Sequence, residues 1–344
     1  MTLLRSLAVL ACLCLAACAA PRAPGEPVAL AGLAYRSMGW QVKVAALPAG
    51  MSATALQAQL QQLLDQADAV LSTFRPESEL MRFNRSPVGE WVEVSPLLLQ
   101  SVQLAVEVSA VSEGAYDITV GPLVELWGFG ATAAQSFPQA SALAAARQRV
   151  GWRHIAIDLE KSALMRRADI SLDLSSLGEG AAVDALADFL ERQGMHDYLV
   201  AVAGTLRAGG RKVDGSDWTV AIEVPDGSGR PLRKLGMSGR AVSTSGAYRH
   251  YRDMEGRRYS HTLDPRTGYP VTHPGVSVTV IAPAGVRAAR VDALATAFNV
   301  LGPASGLRLA ERAGLAVFYV EKTATGFRET ASRAFAPDLA AAPE

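Results

Sequence analysis

Cysteine is scarce and gathered at one end: in 344 residues there are three, Cys12, Cys14 and Cys18, all within the first 18 positions. Everything after them must therefore hold together by core packing, with no disulfide to staple it. Histidine is nearly as rare, at five. No sign of charge dominates, because Lys plus Arg and Asp plus Glu both number 33 and form no like-charge block. Nothing in that balance predicts a nucleic-acid groove or a polybasic membrane patch. Neither G-x-S-x-G nor H-E-x-x-H occurs, so serine-hydrolase and zinc-protease chemistry lose their usual support. Internal repeats are missing as well. What is abundant is apolar side chain, 49% of the chain, ample for a packed core.

The N-terminus carries an export signal. Arg5 precedes an apolar run from Ser6 to Ala17, and its roughly 12 residues fall short of the ~20 that span a bilayer as a helix. The run ends in Leu15-Ala16-Ala17-Cys18, which resembles the lipobox of bacterial lipoproteins, where cleavage precedes an acylated cysteine. An ordinary secretory signal followed by a chance cysteine is the alternative. On the lipoprotein reading, residues 1–17 are removed, Cys18 bears the lipid, and the mature chain has a net charge of about −1. Residues 18–34, rich in Pro, Ala and Gly, then form a tether, and 35–335 a single globular domain.

Within that domain Trp40 to Ala45 alternates like a strand, and Ser52 to Phe74 places Leu56, Leu60, Leu63, Leu64 and Leu71 at helical spacing. Ser95 and Pro96 open a second helix that runs to about Ser112, and a third spans Pro138 to Val150. Strands are expected at 154–159, 164–174, 198–202, 218–224, 241–244, 259–263 and 276–282, with helices at 180–193, 288–300 and 304–313. Strands joined by short turns, with helices not strictly alternating, predict an α+β fold, a largely antiparallel sheet with flanking helices.

Four stretches carry groups suited to chemistry. In YSHTLDPRTGYP, Asp264, Pro265 and Gly268 make a tight turn, which accounts for those three residues and leaves His261 unexplained. In DLSSLGEGAAVD, Gly178-Glu179-Gly180 leads into a helix like a dinucleotide fingerprint, but the third glycine is Val183. A plain glycine turn fits as well, although Asp173 and Glu179 bracket it with two carboxylates. In RVDALATAFNVLG, Asp292 and Thr296 share one helix face and offer hard oxygens of the kind Mg²⁺ takes. Alternatively Asp292 answers the helix dipole and Thr296 bonds back to its own helix. Ser243, Thr244 and Ser245 form either a phosphate-binding loop or a merely polar one.

Taken in order, SMG (37–39), LSTFRPESELMRFN (71–84), GAYDITVGPLVELWGFG (114–130), DLSSLGEGAAVD (173–184), AVSTSGAYRHY (241–251), SHTLDPRTGYPV (260–271) and VDALATAFNVLG (291–302) resemble the ApbE family of FAD:protein FMN transferases. The resemblance covers nearly the whole mature chain. It implies binding of FAD and Mg²⁺ and transfer of the FMN half to a threonine hydroxyl of a target flavoprotein, with AMP released. His261 matches the reactive histidine. Asp292 and Thr296, with the backbone oxygen of Ser176, match the metal ligands; Met38, Phe74, Ala115, Tyr116, Asp117, Asp173, Glu179 and Leu263 fall where the family touches FAD. It also implies a lipid-anchored protein on the periplasmic face of a bacterial membrane, with subunits of membrane respiratory complexes as targets and no nucleic-acid partner.

Four positions depart from the family pattern. Glu179 stands where many members have lysine, Trp40 replaces a threonine, and Ala295 takes the place of a carboxylate found in some relatives. Ala203 replaces a glycine; if that site needs positive φ, it adds about 1 kcal/mol of strain. Two alternatives stay open beside the transferase: an Mg²⁺-dependent FAD pyrophosphatase, with water as acceptor, and a non-catalytic flavin-binding lipoprotein.

Overall fold

A computed structural model of the chain describes residues 27–34, 38–130, 137–246, 251–254 and 257–340, and of residues 251–254 and 257–258 the backbone alone. The expected signal segment, Cys18 and most of the tether lie outside the described residues. The centre of the molecule is an eight-stranded sheet made of β1 (Val28–Ala34), β2 (Met38–Val44), β3 (Tyr198–Val202), β4 (Thr205–Gly209), β5 (Ala241–Gly246), β6 (Gly275–Ala282), β7 (Ala316–Thr323) and β8 (Gly326–Ala331). The strands lie side by side in chain order, each antiparallel to the next. The expected α+β architecture with an antiparallel sheet is therefore what the chain adopts.

Helices cover one face of the sheet: α1 (Ala53–Leu71), α3 (Pro96–Val111), α6 (Gly178–Arg192) and α7 (Ala288–Ala313); in the chain the short α2 (Glu79–Asn84) falls between the first two, and α4 (Gly121–Leu126) and α5 (Ala140–Arg147) between the next two. The cap read from sequence at Ser95 is in place, and Ser52, not read as a cap, does the same for α1. Ser52 accepts from the Ala55 N–H and Ser95 from the Leu98 N–H, satisfying donors that an uncapped helix start leaves orphaned. Leu56, Leu60, Leu64 and Leu71 of α1 are all buried, as their spacing requires. The other face carries the hairpin 219–236 and Phe335, which pack on Phe318 and Val320 of β7. Covered on both sides, β6 and β7 read as nearly continuous apolar runs.

The structure differs from the sequence expectations in several places. Residues 28–34, taken as tether, are strand β1, because Val28 and Leu30 alternate into the core behind a composition dominated by Ala and Gly. The flat indole of Trp40 in β2 lies over its cross-strand partner Gly32, where any Cβ would come within 2.6 Å of the ring, and its Nε1 donates to Gln61. That glycine is what lets tryptophan stand at this position. The expected strand 164–174 shortens to Ala163–Arg166, and 259–263 breaks into Arg257–Ser260 and Leu263–Asp264 with His261 between them. The two helices expected at 288–300 and 304–313 are both present and run end to end as α7, meeting at a kink where Gly302 takes φ 69° ahead of Pro303. Strands β7 and β8 and the hairpin partner of β3 went unread, although the apolar run 316–320 of β7 carries a buried strand's signature.

α6 and α7 exchange carboxylates at their N-termini. Asp184 of α6 accepts from the N–H groups of Ala288 and Ala289, which open α7, and Asp292 of α7 accepts from Gly180 N–H in the first turn of α6. Each helix start, with its free donors and positive dipole end, is answered by the other helix. This requires the backbones to touch: a Cβ on Gly180 would lie 2.5 Å from the Cα of Ala289. Replacement Gly180→Ala is expected to force α6 and α7 apart at a cost of about 1–3 kcal/mol, read as a lower urea midpoint. A midpoint equal to the parent's would contradict this account of the contact.

Candidate active site

A cleft of about 1580 Å³ opens beside the start of α6 and the inner face of α7. It is lined by Met38, Phe74, Ala115, Tyr116, Asp117 and Leu263, by Asp173, Ser176 and Glu179 of the 173–180 turn, and by His261, Asp292 and Thr296. Every site residue expected from the sequence, Cys18 aside, meets in this one space, drawn from segments more than 200 positions apart.

The 173–180 turn is built by local hydrogen bonds. Asp173 takes the Ser175 N–H on its side chain, and the Ser176 hydroxyl donates to the Tyr116 oxygen at 3.0 Å. Asn84 pins the segment leading in, giving Nδ2–H to the Leu172 carbonyl and accepting from the Leu172 N–H, both at 2.8 Å. The turn is not a dinucleotide cradle. Gly180 is there for contact with α7, and its N–H is already used by Asp292 at 2.9 Å.

Asp292 sits almost fully buried, its other oxygen accepting from Ser243 at 3.2 Å; Ser243 in turn shares a hydrogen bond with Thr205. The serine expected in a phosphate loop is thus turned inward, and Thr244 and Ser245 line the cleft. Burial pushes the Asp292 carboxyl well above the ordinary carboxylate range, and the nearby Glu179 adds to the rise. Burial raises Glu179 as well, against the hydrogen bond it accepts from Gly204 N–H at 3.0 Å. Neither carboxylate makes an ion pair with Lys or Arg among the described residues. Gly204 is presented by Ala203, whose φ of 45° is the strained conformation expected of that substitution.

These groups suit a hard cation. Thr296 Oγ1 lies 3.5 Å from the Ser176 carbonyl oxygen, one turn along α7 from Asp292. A carboxylate, a hydroxyl and a carbonyl beside a second unpaired carboxylate form the oxygen-only donor set that Mg²⁺ accepts while keeping positions for water or substrate phosphate. Among the described residues no group of three or more His, Cys, Asp or Glu gathers, so this set relies on neutral oxygens for its remainder.

Asp117 works differently. Its oxygens accept from Thr119 N–H and hydroxyl and from Trp152 N–H, while burial still raises its carboxyl. It organises the loop that carries Ala115 and Tyr116, whose phenol burial keeps protonated.

His261 occupies the break between the two short strands, its ring edge-on to Phe129 at 6.4 Å. The turn below it is the one expected. Asp264 accepts the Gly268 N–H on its carbonyl at 2.7 Å and holds Arg266 through both oxygens, and Gly268 takes φ 82°. Trp127 of the turn after α4 (Gly121–Leu126) fastens it by donating Nε1–H to the Gly268 carbonyl at 2.9 Å. Turn and imidazole are thus parts of one device. Asn84, Thr262 and Asn299 escaped the sequence reading; for Asn299 the signal was its place seven residues after Asp292, on the same helix face.

Comparison with known proteins agrees with this arrangement. The family model described as ApbE family matches residues 38–319. An FAD:protein FMN transferase of Klebsiella pneumoniae (strain 342) is 38% identical, covering 97% of both chains. One from Vibrio cholerae serotype O1 is 38% identical over 92% of this chain and 94% of its own. Among solved structures, the apo flavinyl transferase ApbE of Pseudomonas stutzeri superposes with a TM-score of 0.84 at 38% identity, over 92% of this chain and 98% of that one. The flavin transferase ApbE of Vibrio cholerae gives 0.83 at 36% identity, over 92% and 100%. Matched in sequence and in fold along nearly all its length, the chain belongs to the ApbE family.

Proposed function

We propose that the protein is an FAD:protein FMN transferase, which moves the FMN half of FAD onto a threonine hydroxyl of a target flavoprotein. The observation that carries this reading is the meeting of His261, the Asp292 and Thr296 face of α7, and the flavin-contact residues in one cleft. The threonine oxygen forms a new bond to the FMN phosphorus while the bond from that phosphorus to the AMP oxygen breaks. His261 takes the hydroxyl proton; a neutral imidazole is the common form near pH 7 and suits that task. Mg²⁺, held by Asp292, Thr296 and the Ser176 carbonyl, would neutralise charge on the pyrophosphate.

The chain's own groups do the rest. Tyr116, neutral through burial, supports Ser176 by a hydrogen bond, and the flat, partly exposed Phe74 offers a surface for a ring system. Asp173 and Glu179 provide acceptors for hydroxyl or N–H groups of the bound flavin nucleotide. The Leu15–Cys18 sequence supports a lipid anchor at Cys18, which would hold the domain on the periplasmic face of a membrane among membrane-bound flavoprotein targets. No helix among the described residues is long and apolar enough to cross a membrane.

Incubating the protein with FAD, Mg²⁺ and a threonine-bearing acceptor flavoprotein is expected to add the mass of FMN to the acceptor, and EDTA to abolish the gain. Free FMN and AMP without acceptor gain would point to hydrolysis instead, and FAD bound unchanged to a carrier. His261→Ala is expected to keep FAD binding and to lower transfer by about 10²–10⁴-fold, the usual contribution of a general base. Transfer by that variant at the parental rate would sink the role given to His261.

The buried Asp292 and the half-buried Glu179 set a pH dependence. Their folded pKa values are raised, so without metal the folded protein holds a proton that the unfolded chain releases near pH ~4. Their contribution to stability is present below that pH and is lost as pH rises through the folded values. The melting temperature without metal should therefore fall as pH rises above about 4, and Mg²⁺ should raise it more at the higher pH. Asp292→Asn, whose amide keeps the bond from Gly180 and faces Ser243, should flatten that slope and abolish the Mg²⁺ response. An unchanged slope in the variant would rule out this electrostatic account.

A further inference from the structure

The kink in α7 strands two carbonyls. Pro303 has no N–H and Gly302 is non-helical, so Asn299 and Phe298 lose the donors that a regular helix supplies four residues on. Side chains from elsewhere replace both. The Tyr319 hydroxyl donates to the Phe298 carbonyl, and His273 Nε2 to the Asn299 carbonyl, each at 2.7 Å. Because a carbonyl only accepts, the His273 proton resides on Nε2; Nδ1 is buried without a partner among the described residues. Burial lowers the ring's affinity for a second proton. Gly302 makes the contact possible, since a Cβ there would stand 2.5 Å from the His273 ring.

The side chain of Asn299 reaches in another direction. Its Nδ2 donates to Thr262 Oγ1 at 2.9 Å, with both residues buried. Thr262 directly follows His261, and His273 lies at the far end of the turn-bearing stretch. Asn299 thus holds that stretch twice, by its side chain in front and by its main chain behind. It shares its helix face with Asp292 and Thr296.

We propose that Asn299 is a positioning residue for His261: by its hydrogen bond to Thr262 it sets where the imidazole stands relative to the Asp292 and Thr296 face of α7. This rests on the assignment of His261 as the base. The need is geometric. His261 lies between two short strands, outside the eight-stranded sheet, whereas Asp292 and Thr296 are fixed by a helix packed on that sheet. A base and a pyrophosphate site on separate supports need a tie, and a misplacement of about 1 Å costs on the order of 10²-fold in rate.

The test compares Asn299→Ala, Thr262→Val, the double variant and Thr262→Ser in the full mature chain. FAD affinity is read by flavin fluorescence, FMN transfer at saturating FAD, and the imidazole resonances by ¹H–¹⁵N NMR. Asn299→Ala and Thr262→Val are expected to lower kcat by about 10–100-fold while the Kd for FAD stays within about twofold. Thr262→Ser, which retains the hydroxyl, should stay near the parental rate, and the double variant should be no slower than the slower single. Both broken-bond variants should shift the His261 resonances. Parental kcat in Asn299→Ala, or an equal loss of FAD affinity and rate in Thr262→Ser and Thr262→Val, would overturn the proposal. Should the parent bind FAD and transfer nothing, the function assignment fails, and the proposal is then decided by the spectra: unmoved His261 resonances in Asn299→Ala overturn it.

Discussion

The reciprocal capping of α6 and α7 is the interaction on which the rest of the molecule depends. Two helix starts, each with unpaired N–H groups, are turned towards one another and closed by Asp184 and Asp292. The exchange works only because Gly180 lets backbone meet backbone. It fixes the depth at which Asp292 sits and the direction in which the next turn of α7, with Thr296, faces. The sheet supports this pair of helices and the loops reach towards it.

The two carboxylates of that exchange have different surroundings, and the difference separates scaffold from site. Asp184 is fully buried, and burial raises its carboxyl, but Arg207 and Arg287 stand at 3.1 and 3.2 Å to oppose the rise. Its charge is answered within the fold. Asp292 is equally deep and faces a second carboxylate instead of a guanidinium. A buried charge left without a partner destabilises the fold by itself. It makes physical sense where a ligand brings the missing positive charge, which is why the unpaired member of the pair marks the cleft.

The kink in α7 extends the same logic. A proline inside a helix costs about 3 kcal/mol unless its orphaned carbonyls find other donors. Here Tyr319 from β7 and His273 from the segment before β6 supply them. The bend is thereby held by β7 and by the segment that leads into β6, and the helix that carries Asp292 is joined to the stretch that carries His261. Strain at Ala203 belongs to the same pattern, since its left-handed turn delivers the Gly204 N–H to Glu179.

Much of this was readable along the chain because it is local. Caps at Ser52 and Ser95, the turn at Asp264 and Gly268, the stripe of leucines in α1 and the shared face of Asp292 and Thr296 each follow from residues a few positions apart. The run of family motifs also named residues that meet in one cleft. What the sequence could not reveal arises between distant segments: that Gly32 accommodates Trp40, that Gly180 serves a helix contact rather than a phosphate, that residues 28–34 pair as a strand, and that Asn299 reaches Thr262. Composition and periodicity record what each residue prefers within its own neighbourhood. Which buried carboxylate is matched by an arginine and which is left for a ligand is decided only when the helices pack, because Coulomb and desolvation energies depend on distances that the chain acquires in its tertiary fold.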